Sequence, residues 1–324
     1  MRVGLTGGTG VVGGAVLRHL QSAGHEVRAV ARSGGAADRL VGEGAEALPG
    51  DVTDHTALVR AFDGCEVVYH VAGVNEMCSR DPAAMYRVNV DGTRTVLRAC
   101  AAAGVRRMVL TSSAVTIGEE RGVVATEDTP HRGRYLSRYE RSKHHAEQVA
   151  FSEDSPVEVV SVNPSSFQGP GRATGTGRII LGVLQGRIRF LVESDVTIVD
   201  IDDCARGHLL AAERGRPGER YLLSGFTMRV SEAVDLAAGM LGRPVSTRML
   251  PLPVAWAGSA LVAAPFYLAR RPPPLCPEMV RVIAHGHRHD GSRATRELGL
   301  EYTSATETLS RMVEWFRREG MLTA

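Results

Sequence analysis

Short apolar runs alternate with longer stretches of helical periodicity through the first half of this chain, and that alternation restricts the fold more than any other feature. The runs lie at 3–6, 27–31, 45–48, 67–71, 107–111 and 157–162. Between them, 12–23, 56–62, 85–103 and 139–152 read as helices. Strands separated by such helices enter one parallel sheet through right-handed crossovers, with helices on both faces. The expected class is therefore α/β, a doubly wound parallel sheet.

The second half begins irregularly. Residues 164–177 are rich in Gly, Pro, Ser and Thr and read as a long functional loop. A strand-to-helix unit follows at 196–201 and 203–213, then a strand at 220–224, a helix at 230–241, a strand at 246–250 and a closing helix at 307–318. No linker divides the chain. Residues 1–164, rejoined by 195–225, are expected to build the sheet domain. Residues 165–194 and 226–290 should form a smaller cap, with 291–324 as a closing segment. Residues 249–269 carry no charge but hold Pro251, Pro253 and Pro265, and read as a cap helix lining an apolar pocket rather than a membrane span.

The first strand runs into Thr6-Gly7-Gly8-Thr9-Gly10-Val11-Val12-Gly13 and then a helix. Gly7 permits a tight turn, Gly10 lets the backbone approach a diphosphate, and Gly13 lets helix and strand pack closely. The diphosphate would rest on the helix N-terminus, where free N–H groups and the dipole favour anions. Dinucleotide binding follows. An NAD site places an acid at the end of the second strand, but this chain has Val30-Ala31-Arg32-Ser33 there. The missing carboxylate and the guanidinium of Arg32 favour NADP(H) over NAD(H). Asp51 and Val52, after the third strand, would lie near an adenine.

Of the 38 basic residues only Lys143 is a lysine. It follows Tyr139 by four positions at the start of a helix, so phenol and ammonium share one face. A phenol shuttles protons at neutral pH only if its pKa falls, and a nearby Lys and an oxidised nicotinamide ring would both lower it. An ammonium also suits a ribose hydroxyl better than a planar guanidinium does. Upstream, Thr111-Ser112-Ser113 ends a buried strand at the carboxyl edge that faces the ligand crevice. Ser113 is the candidate to bind a substrate carbonyl beside Tyr139, with Ser112 as the alternative because adjacent strand residues face opposite ways.

These residues, with Asp51, His70-Val71-Ala72-Gly73, Asn89-Val90-Asp91-Gly92-Thr93, Ala146-Glu147, Asn163-Pro164 and Arg296-Glu297-Leu298-Gly299, resemble the extended short-chain dehydrogenase/reductases of the NAD-dependent epimerase/dehydratase family. The text around Tyr135–Tyr139 and Asn163–Ser166 resembles its dihydroflavonol-reductase-like and hopanoid-associated epimerase-like branches. The resemblance implies a Rossmann-type sheet and favours Ser113 over Ser112, because the catalytic hydroxyl precedes Ala. It implies that Asn89 supports the hydrogen-bond relay, and that Val71, Ala72, Gly73, Thr111, Pro164 and Ser166 line the cofactor. It also implies a homodimer through the helices at 85–103 and 139–152, with Val96, Leu97, Val149 and Ala150 as residues that could serve that contact or equally be core. Gln168 stands where relatives place an apolar residue or Tyr, and Asn75-Glu76-Met77-Cys78 replaces a familiar loop. Asn75, Met77 and Gln168 are the expected substrate contacts.

Composition closes off other classes. A net charge of +2 with no block of either sign argues against nucleic-acid binding. Five Cys without a Cys-x-x-Cys pair suit a reducing compartment and argue against a disulfide scaffold. Residues 1–5 already read as a strand, so no signal peptide is expected and the protein should be cytoplasmic. His285-Gly286-His287-Arg288-His289 alternates like a chelating strand, but no partner carboxylate or Cys pattern is apparent nearby. It reads as an exposed loop, and no metal site is assigned. The expected activity is NADPH-dependent reduction of an apolar or polycyclic small-molecule ketone. A sugar-nucleotide epimerase or dehydratase is the second reading, and a non-catalytic redox sensor is disfavoured by the Tyr–Lys pair.

Overall fold

The computed structural model describes residues 1–79, 81–242 and 245–322. Positions 243–244 of the expected cap and 323–324 of the closing segment lie outside the described residues. Strand β1 (Arg2–Thr6) turns into α1 (Val11–Ser22), followed by β2 (Glu26–Ala31), α2 (Gly34–Gly42) and β3 (Glu46–Pro49). Next come α3 (His55–Phe62), β4 (Val67–His70) and α4 (Pro82–Tyr86), which passes through a π turn at Arg87–Asp91 into α5 (Gly92–Ala102). β5 (Arg107–Thr111), a 3-10 turn at Ala114–Ile117, β6 (Val124–Ala125), α6 (Arg138–Ser152) and β7 (Glu158–Pro164) follow. The chain continues as β8 (Ser166–Gln168), α7 (Thr176–Leu184), β9 (Phe190–Leu191), β10 (Asp195–Asp200), α8 (Ile201–Arg214) and β11 (Arg220–Leu223). It closes with β12 (Phe226–Arg229), α9 (Val230–Leu241), β13 (Arg248–Met249), α10 (Leu252–Leu268), α11 (Pro277–His285), β14 (Arg288–His289) and α12 (Ala305–Arg318).

Seven strands form one sheet in the order β3-β2-β1-β4-β5-β7-β11, every pair parallel. This is the expected Rossmann-type sheet. The order reverses beside β1, which opens a crevice at the carboxyl ends of β1 and β4. One face buries Leu5, Leu17, Leu20 and Tyr221 against α1 and α8. The other buries Phe62, Leu97, Cys100 and Met108 against α3 and α5. Val96, Leu97 and Ala150 therefore fill the core and are not free to make a subunit contact.

Several expectations change. Helix α2 was not legible because it opens on two glycines; Ser33 starts it by accepting from the Ala36 N–H at 3.3 Å. The expected loop at 164–177 contains β8, which joins β10 and β12 in a second, three-stranded sheet. Helix α10 buries only its small face, Ala255, Ser259 and Ala263, and exposes Val254, Leu261 and Leu268. It is not the lining of a closed apolar pocket. No helix among the described residues is long and apolar enough to cross a membrane.

Cys78 and Cys276 form a disulfide across 198 residues, joining the loop after β4 to the residue before α11. The cysteine spacing concealed this pair because the partners meet only in the folded chain. Cys65, Cys100 and Cys204 stay buried as thiols. The His285–His289 segment is not an exposed loop either: β14 pairs with β6, and His289 is buried.

Candidate active site

The Gly-rich turn has the shape its glycines require. Gly7 adopts φ +76°, and a Cβ there would lie 2.6 Å from the Ala72 nitrogen. A Cβ on Gly13 would lie 2.0 Å from the Gly7 carbonyl oxygen, so α1 packs against the turn only with glycine at that position. Gly10 is the exposed N-cap of α1, with no side-chain cap and no acidic residue in the first turn. The N–H groups of Val11, Val12 and Gly13 are thus left for an external anion, and the cradle fits the diphosphate of a dinucleotide. Thr6 braces it from below. Its hydroxyl is 2.7 Å from His70 Nδ1 and accepts from the Ala72 N–H at 3.2 Å. Burial, then the Lys143 charge, lowers His70 to about 3, so it is neutral.

Arg32 is exposed at the end of β2, with no hydrogen bond or ion pair among the described residues. It stands close enough to Asp51 to help hold that carboxyl below its usual range. Burial raises the carboxyl, while hydrogen bonds from Thr53 and the Arg32 charge more than offset it. Val52 turns into the core against Gly92 and offers little side-chain surface to an adenine.

Helix α6 starts where Ser137 accepts from the Glu140 N–H at 3.0 Å, and this start places Tyr139 and Lys143 on successive turns. Lys143 is buried, and its Nζ donates to the Thr111 carbonyl at 2.7 Å. Burial lowers the ammonium to about 8, partly opposed by Glu147. Ser113 stands near enough to the Tyr139 phenol to act on it. The phenol's pKa is not lowered as expected. Burial pushes it up, while Ser113 and the Arg172 charge oppose the shift, and Lys143 takes no part.

The two serines differ in their surroundings. Ser112 is buried, and its hydroxyl has no hydrogen-bond partner, whereas Ser113 reaches Tyr139. Thr111 turns its hydroxyl to His208 Nε2 at 2.8 Å. Asn89 lies in the π turn, where it accepts from the Val74 N–H at 2.7 Å and donates to the Val74 carbonyl and Ser142, each at 2.9 Å. Gly73 is exposed between them: a Cβ there would lie 3.4 Å from Asn89 Oδ1 and 3.7 Å from Lys143 Nζ. Val71 and Ala72 are half-buried beside it.

Behind these groups, Glu147 accepts from Asn163 at 2.7 Å and from Thr116 at 3.2 Å, and it pairs with Arg220 at 3.2 Å. This buried network fixes the back of α6 to β7. Glu147 and Asn163 were visible only as parts of a resemblance, because nothing local shows that they meet.

On the substrate side, Asn75 is exposed, while Met77 packs beside the Cys78–Cys276 pair. Gln168 is buried and donates to Ser166 at 3.1 Å and Thr176 at 2.6 Å, with Oε1 unpartnered. Pro164, also buried, ends β7. Arg172 lies over the Phe167 ring at 3.9 Å and acts electrostatically on Tyr139.

Residues 3–224 match the profile of the NAD dependent epimerase/dehydratase family. A protein of Synechocystis sp. with a provisional dihydroflavonol 4-reductase designation is 33% identical, over 98% of this chain and 94% of its own. A Stigmatella aurantiaca protein, 4-hydroxy-2-methyl-3-oxo-4-farnesyl-3,4-dihydroquinoline-1-oxide ketoreductase, is 31% identical over 69% of this chain and 68% of its own. The crystal structure of gox2253 superimposes with a TM-score of 0.86 at 30% identity, covering 99% of each chain. With the parallel sheet, the glycine cradle and the Tyr–Lys helix, these matches show that the chain belongs to the NAD dependent epimerase/dehydratase family of extended short-chain dehydrogenases/reductases, and is an NAD(P)-dependent oxidoreductase.

Proposed function

We propose that the protein is an NADPH-dependent reductase of an apolar or polycyclic ketone, working through Ser113, Tyr139 and Lys143. The observation that carries this reading is the convergence of three groups at the carboxyl end of β5: Lys143 Nζ donates to the Thr111 carbonyl at 2.7 Å, and Ser113 stands near enough to Tyr139 to act on its phenol. A protonated phenol is the form needed to give a proton to a carbonyl oxygen. NADPH, when bound, supplies the hydride. Ser113 orients the carbonyl oxygen toward Tyr139, and Tyr139 delivers the proton. Lys143, anchored on the Thr111 carbonyl, places an ammonium beside Gly73, where it would hold a ribose hydroxyl. Asn89 is a positioning residue that clamps Val74 at the start of the substrate loop. Arg32 would pair with a 2′-phosphate, and Asn75, Met77 and the segment around Ser166 would meet the substrate. The ketoreductase name of the Stigmatella relative supports a polycyclic ketone as the substrate class.

A second reading, sugar-nucleotide epimerase or dehydratase, is favoured by Arg172, a part-buried cation facing Tyr139 that could meet a diphosphate. Native mass spectrometry of the purified protein separates the two. Epimerases regenerate their cofactor within each cycle and retain it, so tightly held NAD supports the second reading. Exchangeable NADPH supports the reductase.

A homodimer through α5 and α6 belongs to the same proposal, although three of the four apolar contacts named for it are core residues. The outer positions Arg94, Arg98 and Glu153 are polar there. Sedimentation at micromolar concentration should give a dimer, and a monomer would remove this part.

A further inference from the structure

We propose that Glu119, His285, His287 and His289 form a buried site for a divalent, nitrogen-preferring cation such as Zn²⁺, which ties the last helix of the cap to the dinucleotide-binding sheet. It lies apart from the reacting groups and does not depend on which substrate reading is right.

The four side chains converge from distant parts of the sequence. Glu119 follows the 3-10 turn, and β14 brings His289 in by pairing with β6. His285 ends α11. From the Glu119 oxygens, His287 Nδ1 is 2.7 Å away, His285 Nε2 3.6 Å and His289 Nε2 3.6 Å. The donor atoms of Glu119, His287 and His289 all lie within 4.8 Å of one another. Ligands around a tetrahedral Zn²⁺, at about 2.0–2.1 Å from the metal, stand about 3.3 Å apart, so only small movements separate this cluster from a coordination sphere.

Exposure and hydrogen bonding point the same way. The side chains of Glu119, His285 and His289 are 1%, 7% and 2% exposed. Yet Glu119 Oε2, His285 Nε2 and both His289 nitrogens have no hydrogen-bond partner. Buried polar atoms are rarely left so. A divalent cation among these three imidazoles and the buried carboxylate would engage the orphaned atoms. A nitrogen-rich donor set, Glu119, His287 and His289 with His285 Nε2 3.6 Å from Glu119, suits Zn²⁺ or Co²⁺ rather than Ca²⁺ or Mg²⁺.

The consequence is mechanical. Helix α11 is held at its start by Cys276–Cys78, and the metal would hold its end. Arg132, buried beside the cluster, donates to the Glu119 carbonyl at 2.9 Å and pairs with Glu140 in the first turn of α6. The site would thus brace the turn that carries Tyr139.

The full-length protein purified without added metal should carry about one equivalent of Zn²⁺ per chain by elemental analysis. After removal by a chelator, Co²⁺ should restore occupancy with the intense visible spectrum of a tetrahedral centre, and Zn²⁺ should raise the unfolding midpoint by several degrees. His289→Ala and Glu119→Gln should lose the metal, while His25→Ala keeps it. The wild-type titrations keep the test decisive even if a variant fails to fold. No retained metal, no midpoint shift and no tetrahedral Co²⁺ spectrum would overturn the site. A weak octahedral spectrum, equal in His289→Ala, would mark adventitious binding and overturn it too.

Discussion

Replacing Tyr139 by Phe should lower turnover by about 10²–10⁴-fold, the range a positioned general acid contributes, while leaving NADPH binding intact. The ring keeps its packing at the start of α6, and only the proton is lost. Stopped-flow or steady-state assays with a ketone substrate read the first half, and fluorescence titration with NADPH reads the second. A Phe variant with a near-normal rate would remove Tyr139 from the chemistry. The wild-type pH profile should agree. Reduction needs Tyr139 protonated and Lys143 charged; burial raises the phenol and lowers the ammonium to about 8. The rate of reduction should therefore hold below that pH and fall above it, as Lys143 loses its proton while the phenol retains its own.

Arg32→Ala should raise the Michaelis constant for NADPH by about one to two orders of magnitude and hardly change that for NADH, because a charge-assisted hydrogen bond is worth about 1.5–3 kcal/mol. Arg32 is exposed and has no ion pair among the described residues, so its guanidinium is available. The same exposure means that the preference should weaken as salt rises. Equal loss with both cofactors would assign Arg32 to the fold or the diphosphate. A wild-type preference for NADH would overturn the NADP reading and strengthen the epimerase alternative.

The parallel sheet, the phosphate cradle and the Tyr139–Lys143 pair could be read in sequence because each is written in local periodicity. The alternation of strand and helix dictates the crossovers. Gly7 and Gly13 declare close approaches that a Cβ would block. An i,i+4 spacing places two side chains on one helix face whatever surrounds it.

Features that join distant segments were not legible. Ser112 and Ser113 are chemically equal in local sequence, where only the resemblance favours Ser113; in the fold Ser112 is buried without a hydrogen-bond partner and Ser113 stands near Tyr139. Cys78 and Cys276 pair across 198 residues. Glu119 meets the histidine run across 168 residues to His287, through the pairing of β6 with β14. Composition likewise marked α10 as apolar without showing that its small face packs inward while its large side chains stay outside. Local rules determine which element forms and which face it offers; which faces meet depends on packing that closes long loops, and no short window of residues records that.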